Sequence, residues 1–329
     1  MAAWTADVGD YATALAWSRD GSLIAAGAAS GEVVVLDGDT GVATARIDAH
    51  AGGVLGVAWS PTAPVLATCG QDGTAKLHRA DGSLIATLPG TRGWVEHLAW
   101  APRGELLATS SSKVVRIWRA DGAPHLATEE HTSTISAIAW NPKGTQLATA
   151  CYGGVHLWRL DSGAKARDLA WKGSIISLAW SPDGKVIACG SQDCSVHFWR
   201  LSTGQDAAMQ GYPFKPRALA WEKSGALLAT GGDATVTIWR FDGRGPEGTK
   251  PIVLKGHQAV VTDIEFRAEG SLLASGAQDS GVIVWDPRRA RSPRAYAFLR
   301  DQVSRVAWRP KHVALAAADA SGQVAVWPV

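Results

Sequence analysis

Cysteine is scarce in this sequence: there are four in 329 residues, with no CxxC spacing. That argues against a disulfide framework and against a zinc site, and it fits a reducing compartment. No apolar run approaches the ~18 residues of a membrane span. The opening MAAWTADVGD has neither a basic flank nor an apolar core of about seven residues, so it does not read as a signal peptide. Charge of one sign is missing too. With 32 basic against 30 acidic side chains, there is no global field to attract nucleic acid or a membrane. Neither GxxxxGKS/T nor a strand-to-helix GxGxxG occurs, which excludes the usual phosphate cradles. His97, His156, His197 and His312 show no metal-ligand spacing such as HExxH. The expectation is a cytoplasmic protein with no metal and no cofactor.

Phenylalanine is also rare, five against sixteen tryptophans, and that skew has a positional cause. A short apolar run ending in an aromatic recurs at Trp17, Trp59, Trp100, Trp140, Trp180, Trp221, Phe266 and Trp308, at intervals of 42, 41, 40, 40, 41, 45 and 42 residues. A second anchor follows each first one by 18 or 19 residues, at Leu36, His78, Trp118, Trp158, Trp199, Trp239, Trp285 and Trp327. The two columns absorb thirteen of the sixteen tryptophans, leaving Trp4, Trp94 and Trp171. Repetition at this period indicates four-stranded blades, and no copy has room for a helix. Gly21, Gly104, Gly144, Gly184, Gly225 and Gly270 stand four residues after a first anchor, where type I turns would close hairpins.

The fullest copy is Lys255 to Trp285, KGHQAVVTDIEFRAEGSLLASGAQDSGVIVW. Three apolar, β-branched runs are separated by Gly and Asp, which reads as strand, turn, strand, turn, strand. His257, Ser275, Asp279 and Trp285 stand at fixed offsets, and Asp286 follows. This unit resembles a WD repeat, with its Gly-His pair, Ser-Gly strand, turn Asp and Trp-Asp ending. The resemblance implies a buried hydrogen-bond chain through His, Ser or Thr, Asp and Trp that ties three strands together. His50, Thr68 and Asp72 repeat it in the second copy, where His78 replaces Trp. The types His, Ser and Asp also suit nucleophilic catalysis. A framework motif is expected many times, however, and an active site once.

The expected fold is therefore an all-β, eight-bladed propeller of four antiparallel strands per blade in a single domain, 1–329. The blades are expected at about 11–50, 52–91, 93–131, 133–171, 173–211, 213–256, 258–299, and 301–327 with 1–9. The last copy lacks a fourth strand of its own, and Ala2 to Val8 stands at the offset to supply it by pairing with Gln323 to Trp327. That pairing would remove two exposed edges.

The residue six before each first anchor lies at the rim of one face, where rigid strands hold the turns. Trp94 belongs to neither anchor column, so packing of the repeat does not account for it, and an aromatic without a core role is the best hot-spot candidate a sequence offers. Around it stand Arg92, Glu96 and His97. Tyr11, Tyr212, Phe214, Lys215 and Arg217 join it from other copies, with Gln71, Gln192 and Gln278 before the turn Asp positions. A second candidate is a basic patch on the opposite face, from Arg244, Lys250, Arg288, Arg289, Arg291 and Arg294.

The function these features point to is a non-enzymatic scaffold, monomeric by itself, that binds proteins or peptides; nucleic acid and membranes are not expected partners. Two alternatives remain at this stage. One is an enzyme with groups such as Glu96, His97, Asp263 and Arg305 in the central channel. The other is an anion or nucleic-acid binder using the basic loops.

Overall fold

The computed structural model describes residues 2–243 and 245–329. Among the described residues every regular element is a strand. The first copy shows why. Ala12–Trp17, Leu23–Ala28 and Glu32–Asp37 are short and apolar, and each turn between them carries glycine. Ala43–Asp48 adds the outer strand of an antiparallel meander. Turn glycines close the hairpins as expected: the amides of Gly21, Gly104, Gly144, Gly184 and Gly225 donate to the carbonyl three residues earlier.

The two tryptophan columns have different duties. First-column indoles reach across to the preceding copy, where Trp17, Trp100, Trp140, Trp180 and Trp308 donate Nε1–H to the carbonyls of Ala307, Ala58, Ala99, Ala139 and Glu265. The accepting residue is Ala in four of these, leaving room for the ring. Second-column indoles stay within their own copy: Trp118, Trp158 and Trp285 donate to Thr109, Thr149 and Ser275.

The termini meet. Trp4–Asp7 pairs antiparallel with Gln323–Pro328 in the register Trp4↔Val326 to Asp7↔Gln323, completing a four-stranded sheet. Trp4 is buried, donates Nε1–H to Gly38 O at 3.1 Å, and lies where any side chain at Gly41 would have to go. From the last copy, Arg309 donates to Gly21 O at 2.8 Å, pairs with Asp39 at 2.7 Å and covers the Trp17 ring. The opening segment thus fastens the last copy and, through Trp4, grips the first.

The expectation of eight blades is not met. Among the described residues the strands form seven sheets, six of four strands and one of six. Copies four and five share the six-stranded sheet because two strands run on where breaks were expected. Gln146–Arg159 is 14 residues long and Lys165–Trp180 is 16. Copy four has no turn Asp. In its place, Gly153 and Gly154 take φ of 99° and 142°, keep the chain extended, and let Gly154 pair with Ala170 and Tyr152 with Ser174. A Cβ on Gly154 would fall 2.2 Å from Leu169 O, so only glycine permits that approach. The outer strand of copy four therefore continues into the inner strand of copy five.

Candidate interaction face

The His-Ser-Asp-Trp constellation is a framework. In the copy around Lys255 to Trp285, His257 Nδ1 lies 3.2 Å from Asp279 Oδ1 and Nε2 lies 2.8 Å from Ser275 Oγ, which in turn accepts Trp285 Nε1–H at 2.8 Å. A carboxylate can only accept, so Nδ1 carries the proton, the neutral ring accepts from the Ser275 hydroxyl, and the chain of donors closes. Burial holds His257 below its ordinary value, against the opposing pull of Asp279. Burial raises Asp279, but the Gln258 and Gly281 amides and His257 outweigh it and hold it low. Ser275 is fully buried, so no substrate reaches it.

Other copies vary the chain. His50 contacts Asp72 at 3.0 Å and Thr68 at 2.9 Å, while burial pushes His78, at the Trp position, down to about 4. Tyr212 replaces the histidine in its copy: its hydroxyl meets Thr230 Oγ1 at 2.6 Å and accepts Trp239 Nε1–H at 2.6 Å. Burial pushes that phenol up to about 12.

The rim is built by one recurring backbone bond. The amides of Ala29, Gln71, Gln192, Gln278 and Ala320 donate to the carbonyls of Tyr11, Gly53, Ser174, Val260 and Gln302, riveting the turn between the second and third strands to the segment leading into the inner strand. Tyr11 is 38% exposed on one of these riveted loops; Trp94 and Phe214 are 50% and 54% exposed on the loops of copies three and six, where Phe214 N–H donates to Gly232 O at 3.0 Å. The Trp94 loop is pinned below by Thr91 Oγ1 donating to Ser111 O and Ser111 Oγ donating to Arg92 O.

The family model described as the IFT122 first beta-propeller matches residues 11–247, and that of the WD domain, G-beta repeat, matches 248–286. The chain belongs to the WD-repeat β-propeller family. A WD repeat-containing protein of Schizosaccharomyces pombe is 32% identical over 109 residues, which cover 32% of this chain and 18% of that protein. The human GATOR2 complex protein WDR59 is 30% identical over 90 residues, covering 27% of this chain and 9% of that protein. The matched stretches are thus under a fifth of these relatives' own lengths. The solved structure of Saccharomyces cerevisiae Sqt1 superposes with a TM-score of 0.85 at 14% identity, covering 99% of this chain and 98% of the other, and shares the fold alone.

On this WD-repeat propeller a cavity of about 560 Å³ opens at the rim. Its wall brings together Tyr11, Phe214, Lys215, Arg217 and Gln278 from the sequence-predicted set and adds Val260, Gln302 and Arg305. Lys215, Arg217 and Arg305 are its only charged side chains, so the lining carries three cations and no carboxylate among the described residues. Trp94, Arg92, Gln71 and Gln192 lie outside it, and the Gln71 side chain is turned back to accept Gly53 N–H at 3.0 Å. Sequence reasoning missed Tyr152, which is 59% exposed at the position equivalent to Gln71, Gln192 and Gln278. That shared offset was the available signal.

The polar groups of the inner strands mostly serve those strands. Asp263 accepts Ile264 N–H at 3.0 Å and, from the next inner strand, Val306 N–H at 2.9 Å; Glu265 accepts Trp308 N–H at 2.7 Å. Burial pushes Glu265 up to about 8 and raises Asp263 against the pull of Arg305. Glu96 is raised and His97 lowered, each by burial.

On the opposite face, Arg288 makes a two-pronged contact with Glu222, at 2.5 and 2.6 Å, and Arg289 pairs with Asp286 at 3.4 Å. Lys250, Arg291 and Arg294 are exposed, and Arg244 lies outside the described residues.

Proposed function

We propose that this propeller is a non-enzymatic scaffold whose rim cavity takes a segment of a protein partner carrying an apolar side chain flanked by carboxylates. The observation that carries the reading is the composition of the cavity wall: Phe214, Tyr11 and Val260 offer apolar contact, and Lys215, Arg217 and Arg305, with no carboxylate among the described lining residues, offer charge. About 560 Å³ is within the range of ligand clefts, which bind an occupant by shape plus a few fixed polar groups. The backbone rivets preorganise the loops, so little ordering cost falls on association. Trp94, Arg92 and Tyr152 extend the same face beyond the cavity. The opposite basic loop is a weaker docking site because Arg288 and Arg289 already hold carboxylates. Membership of a complex, as for the human GATOR2 complex protein WDR59, agrees with a scaffold role. A cytoplasmic location and a monomeric free state belong to the same proposal.

Affinity purification with wild-type protein, Phe214→Ala, Arg217→Glu and, as a control, Arg291→Glu tests it. A shared partner should be lost from the first two variants, with melting unchanged, and kept by the third. Retention by both cavity variants, or loss only with Arg291→Glu, overturns the assignment.

A further inference from the structure

The six-stranded sheet holds a cluster that the repeat does not require. Cys151 stands where the copies bearing Gly70 and Ala277 have no reactive group, and His156 stands where those copies carry Lys76 and Ile283. Cys151 Sγ lies 3.5 Å from His156 Nε2, and His156 Nδ1 lies 2.5 Å from Asp168 Oδ1 on the long strand Lys165–Trp180. Lys165 Nζ fixes the other oxygen of Asp168 at 2.9 Å. These are a nucleophile, a base and a group that orients the base, in hydrogen-bonded sequence. His131, edge-on to His156 at 5.3 Å, is occupied by Lys113 O and Thr149 Oγ1, and burial pushes it down to about 4, so it adds no second cation.

The other thiols contrast with this one. Burial drives Cys69 and Cys189 far up, whereas at Cys151 the raising effect of burial is outweighed by His156 and by the Ser133 and Thr132 hydroxyls, and the thiol falls below its ordinary value. The contact with Cys151 and then Asp168 raises His156 against the lowering effect of its burial. Cys151 is itself buried; its Sγ lies 3.3 Å from Tyr152 O and 4.0 Å from Thr132 Oγ1, and Thr132, Tyr152 and Gly153 are exposed, with nothing within 4 Å of where a Cβ on Gly153 would stand.

We propose that Cys151 is a nucleophilic thiol that exchanges with small disulfides when the Tyr152–Gly154 stretch of its strand parts from Ala170–Ser174 of the neighbouring strand, with His156 taking its proton and Asp168 holding the imidazole. The Sγ–H proton passes to His156 Nε2 and the thiolate attacks one sulfur of the disulfide. A new S–S bond forms as the old one breaks, and the electron pair leaves on the other sulfur, which takes the proton back from His156. Cys151 ends as a mixed disulfide and half of the reagent as a free thiol.

The test is reaction of the intact folded protein with dipyridyl disulfide near pH ~6, followed by thione release and located by mass spectrometry. Cys151 should react before the partly exposed Cys194, and Cys151→Ser should abolish the fast phase. His156→Gln should slow it about tenfold, and Asp168→Asn about threefold. The Asp168 side chain is half exposed, so its variant should keep the wild-type melting temperature and decide the matter if His156→Gln fails to fold. Labelling of Cys194 with Cys151 untouched, or an unchanged rate in a folded Asp168→Asn protein, overturns the proposal.

Discussion

Replacing Trp4 by Ala isolates what holds the two ends of the chain together. The residue is 8% exposed, packs over Gly41 and donates to Gly38 O, so a single truncation removes one of the grips of the last sheet on the first copy and leaves those of Arg309 and Trp17. A buried tryptophan removes roughly 150 to 250 Å² from water, or about 4 to 6 kcal/mol at ~25 cal/mol per Å². Measured truncations of large aromatics cost about 3 to 5 kcal/mol, and we expect a loss in that range. Trp4→Phe keeps most of the area and loses the bond to Gly38, costing about 1 kcal/mol. Urea unfolding followed by circular dichroism gives the midpoints. In a thermal melt the Ala variant should fall by roughly 6 to 10 °C, at about 2 °C per kcal/mol for a chain of this size. Deleting residues 2–8 should cost at least as much, since it also strips the hydrogen-bond partner from Gln323–Pro328. A Trp4→Ala loss under about 1 kcal/mol, or a deletion that melts like wild type, would refute the reasoning that this strand closes the ring.

Two further outcomes are expected. Glu265 is raised from 4.5 to about 8, so the folded state holds a proton that the unfolded chain releases. Its contribution to stability is complete below pH 4.5 and disappears as pH rises towards about 8. Glu265→Gln keeps an acceptor for Trp308 N–H without the charge and should be about 2 kcal/mol more stable than wild type near pH ~8, after discounting for the partial exposure of the residue, and nearly equal near pH ~5. Parallel melting curves across that range would contradict the assignment. Ser275→Ala leaves both Trp285 Nε1–H and His257 Nε2 buried without a partner and should lower stability by about 1 to 3 kcal/mol in urea. A neutral result there would show that the network carries no stability.

Much of this molecule was legible from residue spacing. The recurrence of Trp or Phe every 40 to 45 residues located each inner strand, and the offset of Ala2 to Val8 identified its pairing with the strand ending near Trp327. Those inferences worked because strand, turn and repeat are written in local periodicity. The offsets of Trp94 and Lys215 marked them as rim positions, with Phe214 beside Lys215, yet spacing could not show that Phe214 shares a cavity with Tyr11 while Trp94 does not. That depends on how distant loops converge.

By itself, the sequence determined an all-β repeat of the WD type, its turns, and the closure of the last sheet by the first strand. Tertiary structure alone decided the number of sheets, because the merging of copies four and five depends on Gly154 meeting Leu169 and Ala170. It also decided the meeting of Cys151, His156 and Asp168 and the cationic wall of the rim cavity. Each arises where strands far apart in sequence are brought within hydrogen-bonding or charge range, and such proximity comes from pairing and packing that periodicity does not encode.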